Sequence, residues 1–595
     1  MISDFLRLYV RRYTATYALG IAFLIATNWL TVKIPQLLKH VFDELAGQRR
    51  LDVVHEYAFW IALCAVVVIV VRTLSRIAFF NPGRTIEFRI RNDMLQRLLA
   101  MSPAFFRNWK IGDIMARASD DATFVRALVG FTSVMLINTV LAALMSLYQM
   151  WRTDAWLTLY CVVPLALSVL AMRFGVTFTM TMMRQAQKSL GTLSNTVLET
   201  YKGIAVVQGA AAEEAFLKRF DRDNDEFTAL ALRGMGVRTI LMPVVGVVGN
   251  VCIFLLLFVG GEHVKQGTMT VGDLAAYASY VAVLVGALVG VGWVVGVLQR
   301  GSVSLRRVWD VIEIKPDLPL GDQPLPQTTG GVDLRIDHLT WRHPDAELTQ
   351  LPAINDVSLH VKPGKILGIY GTVASGKSTL VSIISRLAVP PRGAVFIDGV
   401  DLLDVRSADL RRDVAVVPQD AFLFSRSIKD NVAFIARSEE ADMAAVDRAV
   451  LNAALAPEIA RFPEGLNTTV GERGQTLSGG QRQRVQLARA FYRGYRLLIL
   501  DDVLSAVDHD TEARLLEVLQ RQIAETGTSA IIISHRLSAL ARADQIVVLD
   551  DGRIIEQGTH SELLANDATY AHIWQNQRDH ADDPVDPAVV AQVAA

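Results

Sequence analysis

Cysteine is scarce in this 595-residue chain: there are three, Cys64, Cys161 and Cys252. All lie in apolar runs, so they read as small residues of a membrane core and not as a disulfide framework or metal set. Charge is also sparse. Asp, Glu, Lys and Arg make up 20% of the chain and nearly cancel to a net −1, a balance that gives nucleic acid no basic face to bind. No small-residue cleavage site follows the N-terminal stretch. Met1 to Arg12 is amphipathic, and Arg7, Arg11 and Arg12 suit an interfacial helix. The apolar runs themselves carry no dense cluster of charge.

Hydrophobic residues are abundant instead, at 51%, with a mean hydropathy of +0.31. The length predicts two or three domains. Six runs in the first half approach the roughly 20 residues a bilayer requires. They cover 14–38, 55–80, 128–151, 155–178, 236–260 and 271–298. Long polar stretches follow the second and fourth runs and carry the cations, Arg84 to Arg126 in one and Arg184 to Arg238 in the other. The positive-inside bias therefore predicts that both long loops and both termini are cytoplasmic, in a multi-pass protein of the inner (plasma) membrane. Ile86–Ala100 and Leu190–Phe220 keep helical apolar spacing, so the loops read as cytoplasmic continuations of the membrane helices. Each is expected to end in a turn that can touch another domain, within Phe105–Asp121 and Asn195–Gly209. Of the polar residues in or near the runs, Asn28, Lys33, Arg72, Arg76 and Arg173, Lys33 is the better candidate for a cavity residue, because the arginines sit towards cytoplasmic ends, where they can snorkel or line the aqueous vestibule. Gly286, Gly290, Gly292 and Gly296 are expected to serve close helix packing.

The composition then changes. Residues 1–313 read as an all-α transmembrane domain, 314–331 as a linker, 332–575 as a soluble α/β domain, and 576–595 as a disordered tail. The chemistry lies in the α/β part. Ile366–Tyr370 reads as a buried strand and Leu380–Ile384 as the opening of a helix. Between them stand Gly371, Thr372, Val373, Ala374, Ser375, Gly376, Lys377, Ser378 and Thr379. This is the context of a P-loop, whose backbone N–H groups cradle phosphates. Lys377 can reach the β- and γ-phosphates, and the Ser378 hydroxyl can ligate Mg²⁺. Leu497–Leu500 forms an apolar strand that ends in Asp501 and Asp502, and Asp501 is placed to hold Mg²⁺. Leu477, Ser478, Gly479, Gly480 and Gln481 open another helix and make a second anion site.

Leu477–Gln481 resembles the signature motif of ATP-binding cassette (ABC) transporters. Val417-Pro418-Gln419 resembles that family's Q-loop, Ser505–Asp508 its D-loop, Ser534-His535-Arg536 its switch loop, and Thr469–Gly474 the segment that precedes the signature in exporters. Nearly the whole chain is similar to an exporter half-transporter. Leu500–Asp508 carries the narrower likeness, to the MdlA-like subunits of bacterial heterodimeric exporters. The resemblance implies two cassettes facing head to tail, with ATP and Mg²⁺ held between the P-loop of one and the signature of the other. It implies that Gln419 senses Mg²⁺ and the attacking water, that His535 contacts the γ-phosphate, and that Ser505 and Asp508 belong to the D-loop. It also implies an amphipathic substrate, drug or lipid, moved out by alternating access in contact with membrane lipid.

Three positions depart from the family pattern. Ala374 stands where Gly is common. Asp502 stands where Glu usually orients water, one methylene shorter. His343 stands where an adenine-stacking Tyr is usual, and neighbouring Trp341 is expected to point to the opposite strand face. The shortened acid points to a heterodimer in which this chain carries the weak site. The alternatives are a homodimeric exporter, or an ATP-gated channel or regulatory protein with little turnover.

Overall fold

The computed structural model describes residues 1–47, 50–319, 321–326, 330–344, 351–434 and 440–582. Its contacts divide into two units. The first comprises Met1–Leu99 and Trp109–Lys315; the second comprises Ala100–Asn108 and the chain from Pro316 onward.

The first unit is helical. Its main helices are α1 (Thr14–Ala46), α2 (Leu51–Leu99), α3 (Ser133–Thr153), α4 (Ala155–Lys202), α5 (Glu213–Leu255) and α6 (Val271–Glu313). Among the described residues, six helical stretches are long and apolar enough to cross a membrane, each overlapping one of the six runs the sequence marks. The helices α2, α4 and α5 run well past bilayer length, as the periodicity of the long polar stretches predicts. They leave only short breaks, around Ala100–Trp109 and Gly203–Ala212, so most of Asn195–Gly209 is helix and not turn. Asn28 is buried and donates to the Leu24 carbonyl at 2.9 Å and to Asn138 at 3.0 Å, tying α1 to α3. Lys33 rests over the Trp29 ring, 5.5 Å from its centre, and Trp29 is exposed. Of the α6 glycines, Gly286 faces open space, a Cβ on Gly290 would meet Thr139 of α3 at 3.7 Å and one on Gly296 would meet Met180 of α4 at 3.5 Å, and the tightest approach is at Gly272, where a Cβ would lie 2.1 Å from the Lys39 carbonyl of α1.

The second unit is α/β. An antiparallel sheet has the order β2-β1-β4-β5, from β1 (Leu334–Trp341), β2 (Ile354–Val361), β4 (Val395–Ile397) and β5 (Val400–Asp401). The central sheet has the order β10-β9-β3-β8-β7-β6. Its strands are β3 (Ile366–Gly371), β6 (Val414–Val417), β7 (Leu497–Asp501), β8 (Ser529–Ile533), β9 (Gln545–Asp550) and the antiparallel edge strand β10 (Arg553–Gly558). Every residue of β3, β7 and β8 is buried, the continuous apolar pattern of parallel strands covered on both faces. Two stretches differ from expectation. Leu325, in the stretch read as a linker, is buried in the core beside β1 and β2, and the Arg406 N–H donates to Gln323 O at 2.7 Å. The last described helix, α9 (Thr569–Asp582), extends beyond Gln575 into the stretch read as a tail; 583–595 lie outside the described residues.

Candidate functional site

Four neighbouring parallel strands, β3, β8, β7 and β6, end on the same side. The segments leaving their carboxyl ends are, in that order, the P-loop, His535, the Asp501–Asp502 pair and Gln419. Sheet topology therefore gathers residues spread over more than a hundred positions of sequence, at the edge where open α/β sheets bind ligands.

The P-loop leads into helix α7 (Lys377–Ile384), with Gly376 as its N-cap at φ +98°. A Cβ at Gly376 would lie 2.5 Å from the Ala353 carbonyl, so only glycine fits. Ala374 also has a left-handed backbone, at φ +66°. An L-residue there costs about 1–2 kcal/mol, part of which offsets the extra chain entropy a glycine would lose on folding. Ala374→Gly is therefore expected to stabilise the protein by about 0.5–1 kcal/mol, seen as a higher midpoint in thermal unfolding. A lower midpoint would show that the methyl makes a contact worth more than the strain.

Lys377 is buried and curls onto its own loop. Its Nζ donates to the carbonyls of Gly371 at 2.8 Å and Thr372 at 2.6 Å, and to Ser375 Oγ at 3.3 Å. Burial lowers its pKa, opposed by the charges of Asp501 and Asp502. Asp501 shows the complementary effect. Burial raises its carboxyl above the usual range, the neighbouring Asp502 adds to this, and the Ser378 hydroxyl, Lys377 and His535 counter it. Asp502 is buried at φ +53°, with Oδ2 accepting from Gln419 Nε2 at 3.4 Å. Its Oδ1 is buried with no hydrogen-bond partner among the described residues. An orphaned carboxylate oxygen beside a second desolvated carboxylate fits a divalent cation and its water. No cluster of three or more His, Cys, Asp or Glu exists among the described residues. That suits Mg²⁺, which takes one or two protein groups and completes its shell with phosphate and water.

Ser478 caps helix α8 (Gly479–Arg493) in a reciprocal capping box with Gln481. Ser478, Gly479 and the helix N-terminus are open to solvent, and Leu477 is buried as the anchor. The switch and D-loops are tied by Arg536, which donates to the carbonyls of Ser505 and Val507, both at 3.1 Å, and to Glu512 Oε2 at 2.9 Å. Asp508 caps the following helix through the Thr511 N–H, a bond that lowers its carboxyl pKa. Sequence reasoning missed Gln577. From α9 its amide donates to His535 O at 2.8 Å and accepts from Leu537 N–H at 3.0 Å, bracketing the switch loop. The signal was present as buried Tyr570 and part-buried Ile573 and Trp574, at helical spacing with Gln577.

His343 is exposed beyond the end of β1, and its ring meets Trp341 edge-on, with centroids 4.7 Å apart. This corrects the expected opposite placement. Residues two apart share a strand face, and β1 ends at Trp341 in any case. Trp341 is held by its indole N–H on Val389 O at 2.8 Å, which leaves His343 as the exposed ring of the pair.

Residues 17–288 match the ABC transporter transmembrane region and residues 354–505 the ABC transporter domain. The chain is 30% identical over 581 residues to an uncharacterized ABC transporter ATP-binding protein, YknU, of Bacillus subtilis, covering 96% of this chain and 97% of that one. It is 29% identical over 574 residues to the multidrug resistance-like ATP-binding protein MdlA of Escherichia coli, covering 96% and 95%. A solved bacterial Atm1-family ABC exporter with ATP bound superposes with a TM-score of 0.78 at 25% identity, over 96% of this chain and 98% of that one. With six membrane-spanning helices and a P-loop ATPase fold in one polypeptide, the chain belongs to the ABC transporters, as an exporter half-transporter that couples ATP hydrolysis to transport.

Proposed function

We propose that this chain is one subunit of a heterodimeric exporter and that its own ATP site is the weaker of the two. In this reading it moves amphipathic molecules, drugs or lipids, out of the cytoplasm or inner leaflet. The observation that carries it is the contrast between Asp502 and Ser478. The acid that should orient water is one methylene short and only 3.4 Å from Gln419, whereas the signature presents an open, fully capped helix start.

Each residue has a defined task. The P-loop amides and Lys377 hold the β- and γ-phosphates, and Lys377 exchanges its two carbonyl partners for phosphate oxygens as it does so. Ser378, Asp501 and Gln419 would hold Mg²⁺, which would supply neutralising charge at the phosphates. Asp502 and Gln419 orient water, His535 donates to the γ-phosphate, and Arg536 makes the switch and D-loops respond together. His343 offers a ring edge to adenine. The signature of this chain completes the partner's site. A partner is further supported by apolar side chains left in the open around the second break, with Tyr201 71% and Val206 74% exposed. The MdlA likeness supports the multidrug class, and the loop cations support an orientation with both termini and the cassette in the cytoplasm.

Inside-out membrane vesicles containing this chain and its partner should accumulate a labelled amphipathic drug or lipid when ATP is added outside. Uptake should stop with a non-hydrolysable analogue. ATP-driven uptake by right-side-out vesicles, or ATP turnover with no substrate movement under any condition, would overturn the reading.

A further inference from the structure

The helices α4 and α6 enclose a cavity of about 360 Å³, within the range of small-molecule sites. Its walls mix two chemistries. Met172, Met180 and Val295 supply an adaptable apolar surface, and Arg173, Arg184 and Gln299 supply donors. Arg173 and Arg184 are eleven residues apart, so they stand about three turns, or roughly 16 Å, apart along one face of α4.

Neither arginine has a carboxylate partner among the described residues, and the sequence explains why. Residues 155–198, 227–261 and 274–309, which make up most of α4, α5 and α6, contain no Asp or Glu. Several acids elsewhere in the bundle are committed. Glu87 pairs with Arg91 and Arg126, and Arg117 and Arg307 engage Asp113 and Asp121. Arg173 and Arg184 are exposed on the cavity wall and remain charged, so they can pair with an anionic occupant. Among the described residues this chain offers them no carboxylate, so a ligand anion is an available partner.

We infer that this cavity binds anionic amphiphiles, with a carboxylate or phosphate head on Arg173 or Arg184 and the apolar body against Met172, Met180 and Val295. The inference rests on the exporter reading and narrows its substrate class from amphipathic to anionic. A guanidinium offers parallel N–H donors that match two oxyanion oxygens, which a cationic or neutral drug cannot use.

The test is ligand binding to the full chain with its partner in phosphatidylcholine nanodiscs, without nucleotide. The probes share one dodecyl tail: laurate, dodecyl phosphate, dodecyltrimethylammonium and dodecyl maltoside. Both anions should bind at least tenfold more tightly than the cation. Arg173→Gln with Arg184→Gln should remove that preference, and Arg173→Lys with Arg184→Lys should keep most of it. Equal affinity for anion and cation, no effect of the glutamine pair, or no advantage of the lysine pair over it would each overturn the inference. Repeating the titration in phosphatidylglycerol nanodiscs identifies the source. Loss of apparent affinity there assigns the site to an anionic lipid headgroup, and unchanged affinity assigns it to a free organic anion. Binding needs no hydrolysis, so an ATPase-active protein that fails these titrations refutes the anion site alone. An anion-selective protein without ATPase activity refutes the exporter reading alone.

Discussion

Ser478→Arg in this chain is expected to reduce the ATPase rate of the assembled heterodimer by a hundredfold or more, whereas Asp502→Asn reduces it less than tenfold. In the proposed heterodimer each ATP lies between two chains, so each chain builds half of two sites. Ser478 belongs to the site where the partner supplies the P-loop and the hydrolytic acid, and an arginine at this helix N-cap fills the space the γ-phosphate needs. Asp502 belongs to the other site. A well-placed general base contributes typically about 10²–10⁴-fold, and a carboxylate one methylene short delivers little of that. The replacement by Asn therefore removes a small contribution to the total rate. The backbone bears on the same point. Asp tolerates the left-handed conformation at φ +53° better than most residues, and its buried Oδ1 has no partner to lose among the described residues. The measurement is steady-state ATPase of both variants, with and without the co-expressed partner. A purified single chain that hydrolyses ATP unaided and dies on Asp502→Asn would establish a homodimer and end the heterodimer proposal.

Lys377→Ala should lower ATP affinity at this chain's own P-loop at least tenfold, about 1.4 kcal/mol. In the present state the Nζ proton donors go to Gly371 O, Thr372 O and Ser375 Oγ, so the lysine braces the loop as well as presenting charge. Removing it leaves two carbonyls facing the phosphate oxygens with no cation between them. Labelled-ATP binding, with the partner's P-loop lysine also removed so that one site is read, checks this. Unchanged affinity would show that the loop amides and Mg²⁺ suffice without the lysine.

What was legible in the sequence follows from how far each signal reaches. Six apolar runs of bilayer length and two apolar strands are local patterns, and the helices and β3 and β7 appear where those patterns lie. The glycine-bearing loop, the carboxylate pair and the signature were likewise contiguous motifs. The misses came from contacts between distant parts of the chain. Leu325 looked like part of a proline-rich connection until its core partners on β1 and β2 were present. Gln577 binds two backbone groups that lie some forty residues upstream; the helical spacing of Tyr570, Ile573 and Trp574 marks its helix but not those partners. Arg173 read equally as a snorkelling cation or a residue of the aqueous vestibule, because its sequence neighbourhood is apolar on both sides. The approach of α6 places it in a cavity wall. Trp341 and His343 were misjudged for a simpler reason, a strand alternation applied across a two-residue step and beyond the strand's end.

The second unit is not continuous along the chain, because Ala100–Asn108 groups with it and not with the helices on either side. Within that unit the Ser102 N–H donates to Asp317 Oδ1 at 2.7 Å, across a sequence separation of 215 residues. Synthesis delivers these partners in order, at about 5–20 residues per second, so Ser102 leaves the ribosome roughly 10–40 seconds before Asp317 exists. Throughout that interval four further apolar runs are made and must enter the bilayer. The nine-residue segment waits on them without its partners, and its assembly is timed by translation of the membrane helices that separate it from the rest of its own unit.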